Sequence, residues 1–181
     1  MKKLIIFLYS LILTCTVSAQ DIYISKNAAV SFFSSTVVED IEGKSNTASS
    51  VLDLKSRNLI FKVANTSFQF KKKLMQEHFN ENYIESDKYQ FSTFKGKITG
   101  DADLTKDGSY NITIEGTLDL HGVTKAYQSK ATFIVSKGTI TAKTVFKVKI
   151  EDHQIKVPSI VFKNIAEFVE VRVSAIYQPK T

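Results

Sequence analysis

The sequence predicts an all-β protein, an antiparallel barrel of about eight strands with one short helix. Three observations predict it. Between Tyr110 and Leu120, Ile112, Ile114, Leu118 and Leu120 take one face, while Asn111, Thr113, Glu115, Thr117 and Asp119 take the other. That period of two marks a strand with one buried face. Only 7 Gly and 2 Pro punctuate 181 residues, so the strands are long. One stretch, Phe70–Tyr83, carries a helical period instead, with Leu74, Met75, His78, Phe79 and Tyr83 on one side. Long antiparallel strands joined mainly by hairpins close into a barrel or stack as a two-sheet sandwich; the barrel is expected here.

The amino terminus reads as a leader. Met1-Lys2-Lys3 is basic, Leu4–Leu13 is apolar apart from Ser10, and Val17-Ser18-Ala19 offers the small residues of a cleavage site. A secretory signal peptide over residues 1–19 is expected, with a single domain over 20–181 and a periplasmic or secreted location. The apolar run is short for a membrane span. The sole cysteine, Cys15, lies in the leader, and Thr14 before it fits a lipidation signal poorly. Removing the first 19 of 181 residues leaves 162 and lowers the formal charge from +6 to +4. That mild excess forms no dense basic patch, so a nucleic-acid partner is not expected.

The elements follow in order. DIYIS and AVSFFSSTVV, within 21–38, read as two β-rich segments, and Glu39–Asn46 as a polar loop. Val51–Asp53 and Asn58–Val63 form the next pair. The helix follows, then a strand over Tyr89–Thr99. Asp107-Gly108 offers hairpin-turn chemistry, since Gly takes positive φ without steric cost. Tyr110–Leu120 and Lys125–Val135 flank a tight His121-Gly122 turn, and Lys137-Gly138 turns the chain into Thr139–Ile150. Glu151–Ile165 is irregular and broken by Pro158, and Phe168–Tyr177 closes the domain. Gly116 occupies an apolar-face position without filling it, which in a strand marks a bend, a bulge or a close approach.

The chemistry of common enzymes is absent from the pattern. His78, His121 and His153 have no metal-ligand spacing, and no HEXXH or cysteine zinc pattern occurs. Gly100–Gly108 has three Asp, but Lys106 and Ile112 stand where a calcium loop needs Gly and Glu. No G-x-S-x-G, P-loop or dinucleotide fingerprint occurs, and no Ser, Thr or Lys sits in an activating context. Neither catalysis nor a cofactor is expected. The lone histidine at the turn reads as a local hydrogen-bonding residue. Asn65-Thr66-Ser67 and Asn111-Ile112-Thr113 match the glycosylation acceptor pattern.

Three segments resemble the YceI family. Leu74–Ile98 is similar to the stretch in which a short helix with an HF pair leads to a strand ending in F-x-G-x-I. Gly116–Tyr127, GTLDLHGVTKAY, resembles that family's G-x-L-x-x-HG-x-TK. Phe146–Val173 is similar to its closing part, with I-K-x-P before the last strand. Gln90 stands where many members have Pro, and Glu151–His153 where many carry an Arg-containing turn. The resemblance implies an exported bacterial protein with a lipocalin-like barrel. Its elongated apolar channel would bind a long isoprenoid lipid, such as an isoprenoid quinone or a polyprenyl phosphate. The partners expected are that lipid, a membrane surface met transiently, and a second copy in a homodimer.

Aromatic residues are the candidate channel walls, because they give wide, directionless apolar surface. They are Phe33, Phe61, Phe79, Phe91, Phe94, Phe133 and Phe146, joined by Met75 and Tyr83 on the helix that would act as lid. Lys71–Lys73 at its start could meet a phosphate. Strands facing a channel alternate just as strands facing a packed core do, so a barrel with a solid interior and no lipid ligand remains the alternative.

Overall fold

The computed structural model describes residues 21–157 and 165–180. The leader and Pro158 lie outside them. Among the described residues nine strands run in order as β1 (Ile22–Ser35), β2 (Asp40–Asp53), β3 (Asn58–Ala64), β4 (Gln69–Phe70), β5 (Phe91–Thr99), β6 (Gly108–Leu120), β7 (Val123–Ser136), β8 (Thr139–Lys149) and β9 (Phe168–Pro179). One helix, α1 (Lys73–His78), lies between β4 and β5. Neighbours follow β1-β9-β8-β7-β6-β5-β3-β2, and β2 pairs back onto β1. Eight long antiparallel strands therefore close a barrel, and the two-residue β4 is added on β2. Closure satisfies strand edges that an open sheet would leave bare.

The interior is divided. Leu52, Ile98, Leu104, Ile112, Val135 and Ile140 are buried and belong to the packed core. By register they lie toward one end of the barrel, with the β2–β3 and β7–β8 turns. At the other end stand α1 and the β6–β7 turn. Pairing of β7 with β8 stops at Ala131 and Thr144. Beyond that, β7 pairs only with β6 and β8 only with β9, so the two strands diverge. Ser129 and Thr144 hydroxyls meet at 2.7 Å where the fork begins.

Several expected elements differ. Residues 22–35 form one strand, with register irregularities between Ser25 and Val30 that break its alternation. Glu39–Asn46, expected as a loop, lies almost wholly in β2. Its inward positions include Gly43 and Ser45, which leave no apolar period to read. Gly43 is required: a Cβ there would lie 2.6 Å from the Phe32 ring and 2.9 Å from that of Phe70. The expected helix is shorter. Phe70 is in β4, α1 ends at His78, and Phe79–Tyr83 continues as a π-helical turn. Leu74 is 60% exposed, away from the apolar side assigned to it. The β5–β6 connection spans Gly100–Asp107 rather than a tight Asp-Gly turn.

Candidate functional site

A cavity of about 320 Å³ lies inside the barrel at the α1 end. Its walls come mainly from strand positions of one parity, with Lys143 of β8 as an exception. Val30 and Phe32 come from β1, Leu59, Phe61 and Val63 from β3, and Ser92 and Phe94 from β5. Ile114 and Leu118 come from β6, Tyr127, Ala131 and Phe133 from β7, Ala142, Phe146 and Val148 from β8, and Val171 and Val173 from β9. Met75, His78, Phe79 and Tyr83 cover it from the helix side. His78 is exposed and Met75 and Tyr83 are half-buried, so here the cavity meets solvent.

Seven of the nine candidate residues line this cavity: Phe61, Met75, Phe79, Tyr83, Phe94, Phe133 and Phe146. Phe33 and Phe91 do not. Val30, Phe32 and Ser34 point inward from β1, which turns Phe33 outward, where the Arg172 guanidinium lies 5.7 Å from its ring centroid. Phe91 stands three residues from Phe94, and an odd spacing puts two strand residues on opposite faces. It is 44% exposed, with the Lys62 ammonium 3.7 Å from its ring centroid.

Of the aromatic cluster at the helix, sequence reading finds Phe79 but misses Phe32, Phe68 and Phe70. Phe32, Phe68, Phe70 and Phe79 pack together, with Phe79 5.3 Å from Phe32, 5.6 Å from Phe68 and 5.1 Å from Phe70 by ring centroids. The Val30-x-Phe32 alternation pointed to Phe32, but Phe33 beside it and the irregular register upstream obscured the parity. Phe68 lies between a 3₁₀ turn (Asn65–Ser67) and β4, where no period operates.

Polar groups in the lining are mostly matched. Asn65 is fully buried; its Nδ2 donates to the Tyr89 carbonyl at 2.6 Å and its Oδ1 accepts from Ser92 Oγ at 2.7 Å, so this sequon is not a surface acceptor. Tyr177 reaches Ser50 Oγ at 2.7 Å, and Ser50 donates to the Ile60 carbonyl at 2.7 Å. Burial pushes the Tyr177 phenol up to about 12. Burial also raises the Tyr83 and Tyr127 phenols, with Asp152 adding to the second.

The His121-Gly122 turn stands at this end of the barrel, joining β6 to β7. Leu120 pairs with Val123, and positive φ at His121 (53°) and Gly122 (72°) gives the twist that suits a two-residue hairpin. The His121 bonds are long-range, not local. Its Nδ1 lies 3.0 Å from the His153 carbonyl oxygen and its Nε2 2.8 Å from Glu85 Oε2. Fully buried His153 directs Nδ1 at the Val123 carbonyl, 2.9 Å away, so that N–H donates and Nε2 accepts from Tyr127 Oη at 2.9 Å. His121 thus joins the hairpin to the segment after the helix and to the 3₁₀ turn Ile150–His153 beside the β7–β8 fork. Among the described residues no group of three or more His, Cys, Asp or Glu could hold a metal ion.

The YceI-like domain model matches residues 23–176. A polyisoprenoid-binding domain from Saccharophagus degradans, implicated in plant cell wall breakdown, superposes with a TM-score of 0.75 at 15% identity, covering 90% of this chain and 100% of that one. BcnA of Burkholderia cenocepacia gives 0.68 at 17% identity, over 82% of this chain and 95% of that one. A Campylobacter jejuni YceI protein gives 0.63 at 19% identity, over 77% and 85%. No curated protein matches the sequence.

Proposed function

The chain belongs to the family of YceI-like domains, and on that premise we propose that its barrel binds a long isoprenoid lipid as a non-catalytic carrier or sequestering protein of the bacterial periplasm. The observation that carries this reading is the cavity. An interior lined by Phe61, Phe94, Phe133, Phe146, Val171 and Val173 stays open at about 320 Å³ instead of packing solid. Protein interiors ordinarily fill such space, and a solid barrel would show none of it.

The mechanism is reversible burial. Each square ångström of chain removed from water contributes about 25 cal/mol, with no covalent step. Methyl-branched isoprene units meet phenylalanine faces and aliphatic walls that impose no direction. The head group sits at the end where His78, Tyr83 and Met75 border solvent, and the movable cover is α1 with the π turn after it. The polyisoprenoid-binding domain similar in fold supports the choice of ligand class, and the leader-like amino terminus supports the location.

Native mass spectrometry of the protein recovered from its own host tests the reading. The expected result is a stoichiometric adduct that organic extraction identifies as a polyprenyl compound. A clean apo mass, together with no uptake of added isoprenoid quinone or polyprenyl phosphate, would overturn it.

A further inference from the structure

The rim of the cavity exposes aliphatic side chains that the fold does not need there. Val37 and Val38, at the tip of the β1–β2 hairpin, are 104% and 57% exposed. The turn is held by polar groups instead. Thr36 Oγ1 accepts from Val38 N and Glu39 N at 3.2 Å each, Thr36 N donates to the Glu39 carbonyl at 3.2 Å, and Ser35 Oγ donates to Asp40 Oδ1 at 2.6 Å. Leu74 on α1 is exposed as well. An ion pair brings the two elements side by side, since Lys72 Nζ lies 2.7 Å from Glu39 Oε1. Glu39 and Met75, each next in sequence to one of these aliphatics, line the cavity.

Lysines accompany the aliphatics. Lys71, Lys72 and Lys73 are exposed. Lys73 pairs with Glu77 only at 3.4 Å, and among the described residues Lys71 has no carboxylate within ion-pair distance. A rim that combines protruding aliphatic points with lysines matches the boundary between acyl chains and anionic head groups. A protein partner needs something else, a broad face of about 800 Å² that a hairpin tip does not offer.

We propose that this rim docks on an anionic lipid bilayer, with Val37, Val38 and Leu74 entering the interface and Lys71 and Lys73 meeting lipid phosphates. Docking sets the cavity entrance against the membrane. A ligand then passes between bilayer and barrel without exposing its chain to water, a cost that grows with every methylene. The purpose of docking rests on the carrier reading, but the surface stands without it.

Flotation of the exported protein with phosphatidylcholine vesicles, with and without phosphatidylglycerol, tests the proposal. The protein is expected to float with the anionic vesicles, less so as salt rises. The double variant Val37→Asp, Val38→Asp should lower the bound fraction about tenfold or more. Lys71→Gln with Lys73→Gln should weaken docking and flatten its salt dependence. These sites are exposed, and an unchanged melting temperature confirms that folding is intact. No flotation with anionic vesicles, or equal flotation of the valine variant, would overturn the proposal. So would a valine variant that changes only a dimer into a monomer, which would make the rim an interface between copies. Uptake of an added isoprenoid quinone from detergent is measured alongside. Docking without uptake would sink the carrier reading and leave the docking surface standing, and uptake without docking would do the reverse.

Discussion

Tyr177 shows how a single polar atom is accommodated beneath an apolar cavity. Ser50 gives its proton to the Ile60 carbonyl, so the Tyr177 proton goes to Ser50. Burial holds the phenol neutral up to about 12, against 10.0 for an ordinary tyrosine. The native state therefore keeps a proton between those values that the unfolded chain has lost. The associated stability is fully present below pH 10 and is lost as pH rises through the folded value, by about 2–3 kcal/mol in all. Urea midpoints measured from pH 8 to pH 11.5 should fall more steeply for the native protein than for Tyr177→Phe. At pH 8 the variant should itself lose about 1 kcal/mol for the missing bond. Parallel pH curves for the two proteins would show that this phenol does not govern alkaline stability. All other ionisable groups are common to both proteins and cancel in the comparison.

Among the elements, β5 and β6 meet where neither has a side chain. Gly96 pairs with Gly116 across the two strands, and the Phe94 ring lies over both. A Cβ on Gly116 would sit 2.5 Å from Gly96 Cα and 2.8 Å from Phe94 Cζ, and would also collide with the Lys95 carbonyl oxygen. Gly116→Ala should therefore destabilise by about 1–3 kcal/mol, as overpacking does, and turn the Phe94 ring toward the cavity. A urea midpoint within about 0.5 kcal/mol of the native protein, the scatter of ordinary surface substitutions, would count against this account. The sequence made the glycine legible as a gap in the Ile112–Leu120 alternation, but not what fills it, because Phe94 arrives from another strand. The same holds elsewhere. β6, β7 and β8 were readable, since most of their inward residues are apolar and most of their outward ones polar, with Ile134 and Val145 as exposed exceptions. β2 was not, since Gly43 faces inward to admit rings from β1 and β4, and Ser45, two residues on, faces inward to bond Ser67 Oγ at 2.7 Å. The helix was visible by its period but not its length, because the π turn Phe79–Tyr83 changes the spacing that places Tyr83 over the cavity. His121 was visible as a turn residue; its partners Glu85 and His153 lie 36 and 32 residues away, a distance no local pattern spans.

For the molecule as a whole, the packed core and the cavity share one barrel, so stability and ligand capacity can be changed separately. Ala142 faces the cavity between Phe133 and Ala175 on the adjoining strands. Ala142→Phe would occupy part of the 320 Å³. Filling an apolar void commonly raises stability by about 0.5–2 kcal/mol, whereas the same ring forced into a solid core would lower it by about 1–3 kcal/mol. The melting temperature should therefore hold or rise while uptake of an added isoprenoid quinone falls by a factor of about ten or more, the loss of roughly 1.4 kcal/mol of burial. Phe91→Trp is the matched control. Its ring lies outside the barrel under Lys62, so uptake should stay unchanged although a larger aromatic has been added to the same protein. A cooler, poorly folded Ala142→Phe with uptake intact would mean that the ligand does not occupy this space. Loss of uptake in Phe91→Trp would place the binding surface on the outer face of β5. Only the pairing of a stable, ligand-deficient Ala142→Phe with a fully competent Phe91→Trp assigns the open interior to a lipid rather than to loose packing.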